Sequence, residues 1–305
     1  MKTSRVWAVC LLACLLTACQ HKELCYDHSH VGSLQVVFDW RYAPDACPAS
    51  MRLYLFPETE GEPLLYEFDN CTGGNIDVPA GHYRALCLNS DTEFILFRNI
   101  RHYESFEIYL TDGSFPRVVP RAAVRAIRSV PDKLWYDRVE GVGVLANCEG
   151  QTLTFYPQIA VRHYTVEIKN ATNLNYLASG EVFGSLTDMS GGFLPGTGRP
   201  ADELVTLPFD MTLEDETTVT ADFYTFGCPP ASTVPHKLIV YAMLNDGSKY
   251  SFTYDVTSAI HEAPDPMNVH IELDGFPLPK PIDNGSGFNL GIDDWEAIEE
   301  IEISM

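Results

Sequence analysis

The feature that most limits the fold is a series of short runs in which apolar and polar positions alternate, separated by turn signals. A period of two sets one face of a strand against a core and the other toward solvent. Val36, Phe38 and Trp40 alternate with Gln35, Val37 and Asp39, and Met51, Leu53 and Leu55 with Arg52, Tyr54 and Phe56. Similar runs recur at residues 65–68, 76–78, 83–88, 94–97 and 106–110. Pro57, Gly61, Gly73-Gly74, Pro79-Ala80-Gly81 and Asp112-Gly113 punctuate them; in the Val78–Tyr83 turn Pro79 fixes φ, Gly81 permits a positive φ, and Tyr83 begins the next strand. No long helix is predicted here. Strands of this length at this spacing predict an all-β sandwich.

A second β series starts at Leu153 and Phe155 and continues where Tyr164, Val166 and Ile168 alternate with His163, Thr165 and Glu167. Strand patterns follow at 204–209, 217–226, 237–244 and 250–256, with Asn245-Asp246-Gly247 as a hairpin signal between the last two. Val269, Ile271 and Leu273 end the series. The Gly- and Pro-rich stretch 180–200, with Gly191-Gly192 and Pro195-Gly196, reads as a long loop. Between the two series, Arg117, Arg121, Arg125 and Arg128 occur with no acid among them. They read either as a connector paired with the protein's own carboxylates or as a docking patch for an acidic partner or a protease-sensitive loop. The expected domains are 32–148 and 149–279, with a boundary near Cys148.

The N-terminus has a basic start, Lys2 and Arg5, and an apolar run from Val6 to Thr17 that is too short to span a bilayer. It ends in Leu16-Thr17-Ala18-Cys19, which resembles the lipobox of bacterial lipoproteins. That resemblance implies a signal peptide of residues 1–18, a lipidated Cys19 and a tether over 19–31. The tether contains His21, Cys25, Asp27, His28 and His30, but their spacing matches no established metal site. No metal site and no cofactor are expected.

Loss of Lys2 and Arg5 with the signal takes the formal charge from −22 to −24. So acidic a chain is no nucleic-acid binder and does not adsorb to an anionic membrane by charge. Its membrane contact must come from lipid, and stable anchoring takes more than one acyl chain. Of nine cysteines, Cys10 and Cys14 leave with the signal and Cys19 carries lipid. Cys25, Cys47, Cys71, Cys87, Cys148 and Cys228 remain as possible disulfide cysteines, with their pairing open. No H-E-x-x-H, G-x-S-x-G, P-loop or C-x-x-C occurs, so no catalytic residue is assigned and an enzyme is not expected.

Residues 280–305 form an acidic end without arginine after Lys280, in which Ile292, Trp295, Ile298, Ile301 and Ile303 are set among carboxylates. Five apolar side chains are unusual in a disordered tail. The segment reads as a terminal strand on a domain edge, its charges discouraging unwanted pairing.

Several motifs now stand in order: the lipobox, Cys25 soon after it within Leu24-Cys25-Tyr26-Asp27-His28-Ser29-His30, a first strand over 34–40, the turn Val78-Pro79-Ala80-Gly81-His82-Tyr83, Pro131-Asp132-Lys133-Leu134-Trp135, and the terminal Trp295 strand. Across essentially the whole mature chain this resembles the fimbrillin-associated, FimB-type anchor lipoproteins of Bacteroidetes, in an uncharacterised branch. The resemblance implies two tandem transthyretin-like β-sandwich domains and a lipid anchor in the outer membrane at the cell surface. It also implies a structural or adhesive role, with a fimbrial subunit protein as partner, at the base of a type V fimbria or a related assembly. Subunits of this group assemble by exchanging edge strands, and the terminal isoleucines and Trp295 are the candidate segment. That segment either closes its own domain or is donated to a partner. The competing reading is a surface glycan-binding lipoprotein, which needs exposed aromatic platforms; the mature chain offers only Trp40, Trp135 and Trp295 as tryptophans.

Overall fold

A computed structural model describes residues 30–115, 125–146, 150–229, 232–281 and 298–303. Its architecture is all-β, as the alternation predicts. The first sandwich packs a three-stranded sheet of β10 (Gln151–Phe155), β1 (Val31–Phe38) and β4 (Gly73–Pro79) on a five-stranded sheet. The latter runs β11 (Gln158–Ile159), β9 (Trp135–Val144), β5 (Gly81–Asn89), β2 (Met51–Pro57) and β3 (Leu64–Phe68). Leu34, Val36 and Phe38 of β1 meet Met51, Leu53 and Leu55 of β2 in one core, as the period-two pattern requires. β1 is the central strand of its sheet: Leu34–Phe38 pair in parallel with Gln151–Phe155, and Val31–Val37 pair antiparallel with Pro79–Gly73.

The second sandwich packs β17 (Thr212–Leu213), β18 (Val219–Thr225), β12 (Arg162–Thr172) and β21 (Asn268–Pro277) on a six-stranded sheet. In order, that sheet contains β22 (Ile298–Ile303), β20 (Lys249–Asp255), β19 (Lys237–Leu244), β13 (Leu177–Ser190), β16 (Leu204–Asp210) and β8 (Ala126–Ile127). The expected hairpin joins β19 to β20, and Gly247 at its tip has φ +85°, a conformation that glycine adopts at no steric cost. A short α-helix, α1 (Thr257–His261), follows β20.

Four points depart from the sequence expectations. First, Gln151–Phe155, expected to open the second domain, is the edge of the first sandwich. The expected boundary residue, Cys148, lies outside the described residues. Second, β9 was not anticipated, because its outward positions interrupt the apolar pattern with Arg138, Glu140 and Gly141. Third, Gly81 in the Val-Pro-Ala-Gly turn does not take a positive φ. A Cβ there would lie 3.4 Å from the Tyr83 ring. The Tyr83 hydroxyl donates to the Pro79 carbonyl at 2.8 Å, holding the arch that carries the chain from one sheet to the other.

Fourth, residues 180–200 are not a loop. They complete β13 and then supply β14 (Gly192–Leu194) and β15 (Arg199–Pro200) to a small sheet whose other strands are β7 (Glu107–Leu110) and β6 (Ile95–Arg98). The glycines serve close approach. A Cβ on Gly192 would lie 2.5 Å from the Ile108 oxygen, and one on Gly196 would lie 2.2 Å from the Tyr103 oxygen. This sheet takes two strands from each half of the chain and joins them.

The join is apolar as well as hydrogen-bonded. Tyr54, Phe56, Leu86 and Leu88, on the face of β2 and β5 turned away from the first core, pack with Ile95, Tyr103, Phe106 and Ile108 into the large core that continues through the second sandwich. Charge closes its rim: Arg98 forms a forked pair with Glu107 (2.6 and 2.8 Å) and reaches Glu203 at 3.2 Å. Arg128 also pairs with Glu203, at 3.2 Å, and with Asp112, while Arg125 meets Asp188 at 2.8 Å. The reading of this arginine segment as one paired with the protein's own carboxylates therefore holds for Arg125 and Arg128. Arg117 and Arg121 lie outside the described residues.

Candidate functional site

Three places bring chemistry-bearing or assembly-competent groups together. The first is the outer edge of the six-stranded sheet. β20 would end the sheet with a row of unpaired backbone groups, a template for another strand. β22 occupies that edge in parallel, with Ile298 opposite Lys249, Ile301 opposite Phe252 and Ile303 opposite Tyr254. Phe252 and Tyr254 are fully buried, and Ile301 and Ile303 pack half-buried against the same core. The Tyr254 hydroxyl donates to the Gly275 carbonyl at 2.8 Å, which fixes β20 against β21. Of the five candidate exchange residues, Ile292 and Trp295 lie outside the described residues, while Ile298, Ile301 and Ile303 belong to β22.

The second concerns the cysteines. Cys25 and Cys148, like the lipidation candidate Cys19, lie outside the described residues. Cys87 is fully buried in the first core, where burial pushes its thiol well above the usual range and keeps it protonated. Cys47 and Cys71 are free thiols whose sulfurs meet at 2.7 Å near the surface. The Trp40 indole nitrogen donates to the Cys71 carbonyl at 2.6 Å and holds that side of the pair. In an oxidising compartment these two thiols are expected to form a disulfide, stabilising the fold by about 3 kcal/mol through the loop it closes. Peptide mapping of exported protein should recover the 47 and 71 peptides joined, and Cys47→Ser should lower stability by that amount. Recovery of both cysteines as free thiols from oxidised protein would contradict this.

The third is a cluster that no sequence spacing announced. Cys228, His236 and His261 converge at one end of the second sandwich, from the segment after β18, the residue before β19, and α1. Burial lowers the pKa of His236, so its imidazole is neutral at ordinary pH. The two tryptophans within the described residues, Trp40 and Trp135, pack edge to face at 6.1 Å and are half-buried. An aromatic pair with one exposed ring lies elsewhere: Tyr42, exposed, is 6.1 Å from the half-buried Tyr156, with the Arg41 guanidinium 4.7 Å above the Tyr156 ring. Tyr42 also lines a cleft of about 510 Å³ with Tyr136, Arg162 and Phe193.

A family profile described as a domain of unknown function, DUF5119, matches residues 18–210. The chain belongs to the DUF5119 family. A curated protein of Bacteroides ovatus named "Putative fimbrium anchoring subunit Fim4B" is similar to this DUF5119 protein over the full length of both, at 24% identity. A crystal structure from the same species, titled as that of a putative adhesin, covers 87% of this chain and 98% of its own. It matches at 23% identity with a TM-score of 0.68. A structure from Bacteroides thetaiotaomicron, titled as that of putative polysaccharide binding proteins, covers 80% of this chain and 90% of its own, at 12% identity with a TM-score of 0.51. These structures share the fold of the DUF5119 protein. They bear out the all-β fold class, and the full-length relative bears out the resemblance to the fimbrial anchor group of Bacteroidetes.

Proposed function

We propose that this protein is a lipid-anchored outer-membrane subunit that fastens a fimbria to the cell surface. It has a structural or adhesive role and no catalytic one. The observation that carries the reading is the pairing of β22 on the β20 edge. The six-residue β22 covers the otherwise unpaired edge of β20, and a separate chain could present the same kind of strand there. Strand addition suits an anchor because backbone hydrogen bonds provide affinity while alternate side chains fill pockets. The full-length relative named as a fimbrium anchoring subunit supports the same role. For the membrane contact, support comes from Leu16–Cys19 in the sequence and from a family match that begins at residue 18.

The test is co-purification. The full chain is expected to retain the stalk subunit of a fimbria, and deletion of residues 290–305 is expected to lower solubility by uncovering β20 and to raise the amount of subunit retained, because the vacated edge is open to a partner strand. A truncated protein that stays soluble and retains the subunit normally rejects any role for this edge. The second reading, glycan binding, has one observation in its favour, the exposed Tyr42 beside the half-buried Tyr156, which Arg41 covers. A full-length protein that binds oligosaccharide but no fimbrial subunit would establish that reading instead.

A further inference from the structure

We propose that Cys228, His236 and His261 form a zinc site that clips the segment after β18 to the helix after β20. His236 Nε2 lies 3.3 Å from the Cys228 sulfur and 3.0 Å from His261 Nε2, and the three ligand atoms all lie within 4.8 Å of one another. Tetrahedral zinc with ordinary Zn–N and Zn–S bonds sets its ligands about 3.3 Å (N to N) and about 3.6 Å (S to N) apart. Both measured separations are thus within roughly 0.3 Å of what the metal requires.

Hydrogen bonding alone accounts for the cluster less well. His236 Nδ1 lies 3.1 Å from the Thr187 carbonyl and is the donor in that bond, since the carbonyl can only accept. Nε2 therefore presents one in-plane lone pair, and the Cys228 thiol and the second imidazole both converge on it. One lone pair accepts one well-directed hydrogen bond, whereas a cation uses all three groups. A ring nitrogen tied to a backbone carbonyl is also how metal-bound histidines are usually held in their ligating tautomer.

The surrounding structure fixes the ligands. The His236 backbone nitrogen donates to Thr257 Oγ1 at 2.9 Å, and its carbonyl accepts from Val256 at 3.0 Å, so His236 is tied to the start of α1. Ile260 is buried and seats the helix that carries His261 in its last turn. Access is graded: His236 is fully buried, Cys228 half-buried and His261 exposed. The exposed side provides an approach for the ion and leaves the fourth position to water. A mixed nitrogen and sulfur set favours zinc over calcium or magnesium, which take oxygen ligands. Binding releases one proton, from the Cys228 thiol, to solvent.

The site lies next to the assembly edge without forming part of it. Ile303, the last described residue of β22, pairs with Tyr254, three positions before α1 begins. Zinc would therefore stiffen the end of the edge where the terminal strand stops, whatever its partner.

The experiment uses the full chain purified in detergent, stripped with a chelator and titrated with cobalt and then zinc. Wild-type protein is expected to bind cobalt with the intense visible bands of tetrahedral coordination and a thiolate charge-transfer band. Zinc should displace the cobalt and raise the melting temperature. His261→Ala removes an exposed side chain and is expected to leave the fold intact while weakening zinc affinity at least tenfold. Loss of a direct ligand should exceed the roughly 10- to 100-fold cost of losing an outer partner. Cys228→Ser should abolish the charge-transfer band, and His270→Ala, an exposed histidine elsewhere, should change nothing. Metal bound equally well by both ligand variants would place it elsewhere in the chain, for instance on Cys47 and Cys71, and would overturn the proposal. So would the absence of a thiolate band in the wild-type spectrum.

Discussion

Cys19→Ala is expected to abolish incorporation of a palmitate analogue and to leave the protein either as uncleaved precursor or free of the membrane. The thiol is the nucleophile that takes the diacylglyceryl group in proteins with such a lipobox, and alanine offers none. The energetic consequence is large because each buried methylene contributes about 0.8 kcal/mol to membrane affinity, and a single chain binds only marginally. The protein's charge offers no substitute contact. Its formal charge of −22 repels anionic lipid, and no helix among the described residues is long and apolar enough to cross a membrane. Cys10→Ala, inside the signal, should label normally. Label retained by the Cys19 variant would remove the lipid anchor from the proposed function.

Phe106→Ala is expected to cost about 3–5 kcal/mol, the range for deleting a large buried aromatic side chain. Phe106 is fully buried, and its ring lies 5.0 Å from Tyr54, 5.9 Å from Phe97 and 6.2 Å from Phe56. These rings fill the space between the first sandwich and the small sheet that β14 and β15 complete from the second half. The whole protein should therefore unfold in one transition, and the variant should shift that transition as a unit in denaturant. Leu65→Ala, on an exposed position of β3, provides the comparison and should change stability by no more than about 0.5 kcal/mol. Two separate transitions, with only the earlier one shifted, would mean that the halves fold independently.

The strands that alternate strictly were legible in the sequence because burial on one face writes a period of two. Leu34, Val36 and Phe38 point to the first core, and Tyr164, Val166 and Ile168 to the second. The run 51–56 contained more than its alternation revealed. Tyr54 and Phe56 are as buried as Leu53 and Leu55, because a second layer covers the other face of β2. Strands buried on both faces read as continuous apolar runs, and such a run does not say what covers it. The covering residues are distant in sequence, around 95–110 and 192–200. In the latter stretch glycine and proline, which ordinarily mark loops, serve the close approach of β14 to β7. The terminal segment was legible as an edge strand from its alternating isoleucines and acids. Its parallel pairing with β20 was not, since register depends on the partner. Nor was the Cys228–His236–His261 cluster, whose members come from three separate elements with no local spacing to connect them.

The central position of β1 bears on how an anchored protein resists tension. Under the proposed N-terminal lipid anchor, tension enters the fold through β1, the first described strand, which is laced to β10 on one flank and β4 on the other. A pull along the axis of β1 loads both ladders in shear, so their hydrogen bonds must fail together. A strand at the rim would instead peel away one bond at a time. Drag on a surface filament would thus enter the fold at a mechanical clamp. In single-molecule stretching from the N-terminus, the force at rupture should fall sharply when Val36→Pro removes a backbone donor from the middle of that lacing.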